Sequence, residues 1–187
     1  YESDDRNENE IVKDFNEQAK VLNPYVDFFY FDVWSSIKEV KCGINAIKEF
    51  KKPYLVGIHI SEGTTLPSGE KISDLKNVID EQVLGVMLSC VSPENFEANL
   101  DQLKDLNVPF GFKLNGFITT KPKERYTTSF LKYKKGVNPN EFLGQRKDLT
   151  PKKMFEFAKK FKDAGATILG GCCETRPSHI KEISKLK

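Results

Sequence analysis

Short apolar runs alternate with amphipathic segments along the chain, and this alternation limits the fold more than any other feature. In the first unit, a run ending at Val33 precedes residues 37–50, whose apolar side chains recur at helical spacing. Five such units follow an opening helix over residues 9–22. Strands alternating with helices predict an α/β fold with a parallel sheet and right-handed crossovers. The five predicted strands are 26–33, 54–60, 83–90, 108–115 and 166–173. The second strand is expected to be followed by a helix from about Ser73, and the third by a single helix from about Pro93 to Leu106.

Two architectures fit five such units. They form a complete doubly wound sheet, or they form five-eighths of a (β/α)₈ barrel, which typically needs about 250 residues. The chain has 187 residues, enough for one sizeable core, and we predict one domain over residues 1–187. Neither a Gly-x-Gly-x-x-Gly nor a Walker A pattern occurs, which argues against dinucleotide and P-loop nucleotide binding.

Three of the four cysteines close predicted strands, where parallel α/β folds place their chemistry. Cys90 ends the third strand, and the adjacent residues Cys172 and Cys173 end the fifth. Three thiolates on one metal leave a fourth tetrahedral position open, which is typical of a catalytic zinc site. Buried thiols or a redox pair are the alternatives, although adjacent cysteines make only a strained disulfide. The fourth cysteine, Cys42, lies in a predicted helix and is interpreted as a buried side chain.

Composition and charge argue against several kinds of partner. The net charge is only +2 and the basic residues are scattered, so no nucleic-acid partner is predicted. No apolar run approaches the roughly 18 residues of a membrane span, and no signal peptide is visible. We therefore expect a cytoplasmic protein with reduced cysteines and no membrane partner. The chain begins at Tyr1 rather than Met, which predicts that it is part of a longer protein.

A long polar segment over residues 116–148 separates the fourth strand from the next helix. Segments of that length inside a compact domain are usually functional or disordered. After it, Thr150 is a candidate N-cap and Pro151 suits the first helical turn. Gly165 is a candidate for the end of that helix.

The end of the chain carries a specific motif. Residues 170–180 read Gly-Gly-Cys-Cys-Glu-Thr-Arg-Pro-Ser-His-Ile. This motif resembles the end of the homocysteine S-methyltransferase family, in which Gly-Gly-Cys-Cys-Gly-Thr precedes a Pro and His-Ile. Residues 86–90, with Pro93 after them, are similar to the Gly-Val-Asn-Cys segment of that family.

Two further segments continue the resemblance in the same order. Residues 31–33, with Glu39 seven positions after Asp32, are similar to the Glu-Thr strand end of the family. Residues 115–116 resemble its Pro-Asn-x-Gly turn. The match extends over about the whole chain.

The resemblance implies a (β/α)₈ TIM barrel, of which this chain supplies the C-terminal portion, about strands four to eight, with the N-terminal strands missing. It implies a zinc ion bound by Cys90, Cys172 and Cys173, with Asp32 and Asn115 binding the substrate. The implied reaction transfers a methyl group to the thiol of L-homocysteine and forms methionine. The implied methyl donor is betaine, S-methylmethionine or methylfolate.

The chain departs from the family pattern near the predicted site. Asp32 replaces the usual Glu, Ser89 an Asn, Leu114 a Pro and Glu174 a small residue. These changes leave the predicted metal ligands intact and affect the substrate geometry. Two alternatives stay open: a truncated, non-catalytic zinc-binding barrel fragment, and a zinc-thiolate methyltransferase that acts on another thiol. We expect the fragment alone to be inactive, and the sequence leaves an oligomer open.

Overall fold

A computed structural model describes residues 2–120 and 143–187 and contains one five-stranded parallel sheet in that part of the chain. Each strand pairs with the next along the chain, so the spatial order is β1-β2-β3-β4-β5. This order never reverses, whereas a doubly wound sheet reverses at a switch point. The predicted α/β class and parallel sheet are confirmed. The strands are β1 Phe29–Trp34, β2 Tyr54–Ile58, β3 Val83–Val91, β4 Phe110–Leu114 and β5 Ile168–Gly171.

Helices follow the strands much as the periodicity predicts. Side-chain oxygens of Asn7, Ser36, Ser92 and Thr150 each accept a backbone N–H three residues on, and so begin four of the helices. Gly165, at φ 110°, lies just beyond the end of the helix that begins after Thr150. The described helices are α1 Glu8–Leu22, α2 Ile37–Ile47, α3 Pro93–Ala98, α4 Leu100–Lys104, α5 Pro151–Asp163 and α6 Pro177–Ile183.

Two helical predictions need correction. The segment expected to begin a helix near Ser73 forms only a short 3₁₀ helix, Ile72–Asn77. The single helix expected after β3 is divided into α3 and α4 at Asn99. The Asn99 side chain donates to the carbonyl of Asn95 at 2.8 Å and to that of Gly63 at 2.9 Å. These bonds satisfy local and loop carbonyls at the point where the helix divides.

Alternate residues of each strand face opposite sides of the sheet. One side packs against the helices and forms the core, in which the rings of Phe96, Phe112 and Phe161 lie with centroids 4.7–5.6 Å apart. We call the other side the inner face. A Cβ on Gly57 would lie 2.5 Å from Ser89 Oγ and 2.7 Å from Tyr30 OH, so only glycine fits there. The inner face therefore combines small residues with polar ones.

The long polar segment predicted over residues 116–148 is described only at its two ends. Phe117 forms an antiparallel bridge with Gln145, which brings those ends together. Residues 121–142 lie outside the described part of the chain. Within residues 2–120 and 143–187, no helix combines the length and the apolar character needed to cross a membrane.

Candidate metal centre

The sulfur atoms of Cys90, Cys172 and Cys173 lie together at the carboxyl edge of the sheet, all within 4.8 Å of one another. Cys90 Sγ is 3.8 Å from Cys173 Sγ, and Cys172 Sγ is 3.9 Å from Cys173 Sγ. None of the three cysteines forms a disulfide. The structure therefore brings together the three cysteines that the sequence singles out, although their segments are far apart along the chain.

The backbone at Cys90 is unusual and determines where its sulfur points. Cys90 has φ 56°, in the left-handed region, and the pairing of β3 with β4 shifts register between Ser89 and Val91. Non-glycine residues in this region are uncommon and cluster at functional sites. A second such residue, Val33 at φ 63°, lies at the register shift between β1 and β2. These irregularities stand where the strands reach the site.

Asn115 holds the Cys90 segment in place. Its side-chain Nδ2 donates to the backbone carbonyl of Cys90 and lies 3.7 Å from Cys90 Sγ. Its Oδ1 accepts the backbone N–H of Phe117 at 3.1 Å. Asn115 is fully buried, and its amide is committed to these partners. The structure thus gives Asn115 a positioning role towards Cys90, while its predicted contact with substrate stays a prediction.

The Cys172–Cys173 segment is held against the end of β4 by backbone hydrogen bonds. The N–H of Cys172 donates to Leu114 O at 2.7 Å, and the N–H of Gly116 donates to Cys173 O at 2.9 Å. Thr175 Oγ1 donates to Cys172 O at 2.6 Å. These bonds fix the turn that carries both sulfurs.

Apolar side chains cover the sulfur cluster. Phe117 and Leu143 are buried against Cys90, and Val33 packs on the same group. The hydrogen bond with Cys90, together with burial, raises the pKa of the Cys172 thiol. Burial is the main cause that raises the pKa of Cys173. Without a metal, both effects favour the neutral thiols of Cys172 and Cys173, and metal binding must displace their protons.

Asp32 lies on the inner face, as expected from its strand position, but it has a partner that the sequence did not suggest. Lys113 Nζ is 2.7 Å from Asp32 Oδ2. Lys113 precedes Asn115 by two residues on β4, so strand alternation alone would have placed both on one face. That alternation is the signal that could have found Lys113. The predicted binding of a substrate ammonium by Asp32 stays a prediction.

Three convergent sulfurs at the carboxyl edge of a sheet whose strands follow chain order define an α/β protein with a cysteine cluster of the kind that could hold a metal ion. A family model described as homocysteine S-methyltransferase matches residues 1–186. The chain therefore belongs to the homocysteine S-methyltransferase family.

Individual relatives agree with this assignment. The chain is 26% identical over 185 residues to homocysteine S-methyltransferase 1 of Zea mays, covering 95% of this chain and 52% of the relative. It is 26% identical over 170 residues to homocysteine S-methyltransferase 1 of Saccharomyces cerevisiae, covering 87% of this chain and 48% of the relative. It is 24% identical over 183 residues to the selenocysteine methyltransferase of Astragalus bisulcatus, covering 95% of this chain and 50% of the relative.

The fold also resembles a solved structure. The apo crystal structure of the homocysteine methyltransferase MmuM from Escherichia coli superposes with a TM-score of 0.66 at 17% identity, covering 94% of this chain and 58% of that one. The chain spans about half the length of most of the curated relatives it matches.

Proposed function

We propose that the protein transfers a methyl group to the thiol of L-homocysteine and forms methionine, with zinc bound by Cys90, Cys172 and Cys173. The observation that carries this proposal is the convergence of the three sulfurs at the carboxyl edge of the sheet. Family membership supports the reaction class.

The donor set suits zinc. Zn–S bonds of about 2.3 Å in a tetrahedral site place the sulfurs about 3.8 Å apart. Cys173 Sγ lies 3.8 Å from Cys90 Sγ and 3.9 Å from Cys172 Sγ, which agrees with that value. Zinc bound by three thiolates would leave one position for the substrate thiol and would lower the pKa of that thiol.

The protein's own residues supply position and shelter. Asn115 fixes the Cys90 segment, and Phe117 and Leu143 pack with the buried Cys90. The Asp32 carboxylate accepts hydrogen bonds from the substrate ammonium. Holding the sulfur, the methyl carbon and the leaving group in line accounts for much of the rate enhancement in such a transfer.

The reaction needs no covalent protein intermediate. The substrate thiol gives up its proton to solvent, and its sulfur forms a bond to the methyl carbon of the donor. The bond between that carbon and the donor breaks, and its electron pair stays with the donor. Betaine, S-methylmethionine and methylfolate are the candidate donors.

We further infer that β1 to β5 occupy the places of strands four to eight in a (β/α)₈ barrel. The strand order supports this, because consecutive strands of a TIM barrel are neighbours all the way round. The likeness to MmuM supports it as well, with 94% of this chain covered.

A second candidate is methyl transfer to another soft nucleophile of the same kind. Relatives from Astragalus bisulcatus and Brassica oleracea are named as selenocysteine methyltransferases, each at 24% identity. Asp32 in place of the usual Glu is the sequence feature that favours a different acceptor. A non-catalytic zinc-binding role has no comparable support.

The test is methionine formation from L-homocysteine by zinc-loaded protein that includes the predicted N-terminal strands, since residues 1–187 alone are expected to be inactive. Each of the three donors is supplied in turn, with L-selenocysteine as a competing acceptor. We expect methionine with at least one donor and none from the Cys172→Ala, Cys173→Ala double variant. Zinc-loaded protein that is inactive with every donor would refute the proposal, and preferential methylation of selenocysteine would favour the second candidate.

A further inference from the structure

The ion pair between Asp32 and Lys113 connects two strands that are not neighbours. Asp32 lies on β1 and Lys113 on β4, with β2 and β3 between them in the sheet. Neighbouring strands are about 4.8 Å apart, so the two side chains reach towards each other across the inner face. The ion pair therefore lies on the inner face of the sheet.

The surroundings hold the lysine in place beside the sulfur cluster. Lys113 Nζ lies 5.3 Å from the centroid of the Tyr30 ring, and Tyr30 OH is hydrogen-bonded to Ser89 Oγ at 2.7 Å. Lys113 pairs with Gly170 on β5, and a Cβ on Gly170 would lie 3.5 Å from Lys113 Cγ. The lysine stem therefore runs alongside Gly170 at about van der Waals distance.

The same register places the lysine near a sulfur. Cys172 follows Gly170 by two residues, so it is one step further towards the carboxyl edge. The backbone N–H of Cys172 donates to the carbonyl of Leu114, the residue after Lys113, at 2.7 Å. The Asp32–Lys113 ion pair and the cysteine cluster thus lie at the same end of the inner face.

The chemistry of an α-amino acid thiol matches this arrangement. Such a molecule carries an ammonium and a carboxylate on one carbon and its thiol at the other end. A lone Asp32 would bind only the ammonium. The Asp32 side chain is 42% exposed and that of Lys113 is 22% exposed, so the pair is screened by solvent and easily exchanged.

Resting on the proposed function for the thiol end, we propose that Lys113 is a specificity-determining residue that binds the substrate carboxylate while Asp32 binds its ammonium. The substrate replaces one internal ion pair with two charge-assisted hydrogen bonds of its own. The site then selects thiols that carry a free amino-acid headgroup.

The experiment measures thiol binding directly, without relying on turnover. The full chain is loaded with Co²⁺ in place of zinc, and the thiolate-to-cobalt absorption band is followed during titration with three thiols. L-Homocysteine carries both headgroup charges, 3-amino-1-propanethiol lacks the carboxylate, and 4-mercaptobutanoate lacks the ammonium. The Lys113→Met variant keeps the stem and removes the charge, and Lys113→Arg keeps the charge.

We expect Lys113→Met to weaken binding of L-homocysteine and of 4-mercaptobutanoate by about tenfold or more, and not to weaken binding of 3-amino-1-propanethiol. Lys113→Arg retains most of the affinity. In turnover, the KM for L-homocysteine rises by a similar factor while kcat changes little. As a matched control, Lys160→Met removes a surface ion pair with Glu97 and leaves all three affinities unchanged.

Two results would overturn the inference while the proposed function stands. An equal loss of affinity for all three thiols in Lys113→Met would show that the lysine has only a structural role. Tighter binding of L-homocysteine in that variant would show that the lysine obstructs Asp32. If the cobalt-loaded wild type shows no thiolate band with any of the three, the proposed function fails, and the inference fails with it.

Discussion

The side-chain amide of Asn115 donates to the backbone carbonyl of Cys90 and also lies 3.7 Å from the Cys90 sulfur. A residue at the end of β4 thereby fixes the geometry of a sulfur on β3. Partners of metal ligands commonly matter nearly as much as the ligands themselves.

Replacing Asn115 with Ala is expected to lower zinc affinity by about 10- to 100-fold, because the Cys90 segment loses its fixed position. It also leaves the Cys90 carbonyl and the Phe117 N–H without their partner, which costs about 1–3 kcal/mol of unfolding free energy. Competition with a chromophoric chelator measures the first effect and urea unfolding the second.

The control for this change is Asn16→Ala. Asn16 Nδ2 donates to Ala46 O at 2.8 Å, between α1 and α2 and away from the sulfurs. We expect this variant to lose stability without losing zinc affinity. Equal zinc affinity in Asn115→Ala and the wild type would contradict the positioning role.

Zinc content is expected to depend on three cysteines and not on the fourth. Wild-type protein binds about one zinc per chain, and Cys90→Ala, Cys172→Ala or Cys173→Ala each removes most of it. Cys42→Ala serves as the control, since Cys42 is buried in α2. Elemental analysis of gel-filtered protein checks this, and stoichiometric zinc in the Cys172→Ala, Cys173→Ala double variant would refute the assignment.

Acid is expected to destabilise the fold through His59. Burial lowers the pKa of this fully buried histidine to about 4, while its ring bonds to Ser89 O and Ser61 Oγ. The unfolded chain takes up that proton near pH 6.5, so between pH 6.5 and 4 the unfolded state binds more protons. The contribution of His59 is therefore complete above pH 6.5 and is lost as the pH falls towards 4, by up to about 3 kcal/mol.

Urea unfolding of metal-free protein across this pH range measures the effect. The His59→Gln variant cannot titrate, so its unfolding free energy is expected to fall less steeply between pH 6.5 and 4. Parallel pH profiles for wild type and variant would show that His59 is not the group responsible.

Glu174 is expected to be a strained position. It has φ 59°, in the left-handed region that costs most non-glycine residues about 1–2 kcal/mol. Glu174→Gly removes this strain but adds freedom to the unfolded chain, for a net gain of about 1 kcal/mol in unfolding free energy. Lys51, at φ 51° and distant in sequence from the cysteines, is the matched control, and Lys51→Gly is expected to gain a similar amount. A loss of stability in both variants would contradict the strain argument.

Much of the fold could be predicted because strands and helices are recognised from local sequence patterns. The cysteine cluster could be predicted because each of its cysteines ends one of those strands. Strand and helix periodicity gave five units, and parallel strands carry their carboxyl ends to one edge, which brings Cys90 near Cys172. The contact between Asp32 and Lys113 could not be predicted, since it depends on side chains reaching over two intervening strands. The left-handed backbone at Val33 was equally hidden, because β-branched residues normally avoid that region.

Cys90 and Cys173 are 83 positions apart in the chain, yet their sulfurs are 3.8 Å apart. In the folded sheet, β4 lies between their strands and pairs with β3 on one side and with β5 on the other. Contacts of such long range close late and slowly during folding. A metal that binds only the finished site then stabilises the assembled state in proportion to its concentration over its Kd. Metal uptake would in this way time the completion of folding, and loss of the ion would loosen the last strand from the rest of the sheet.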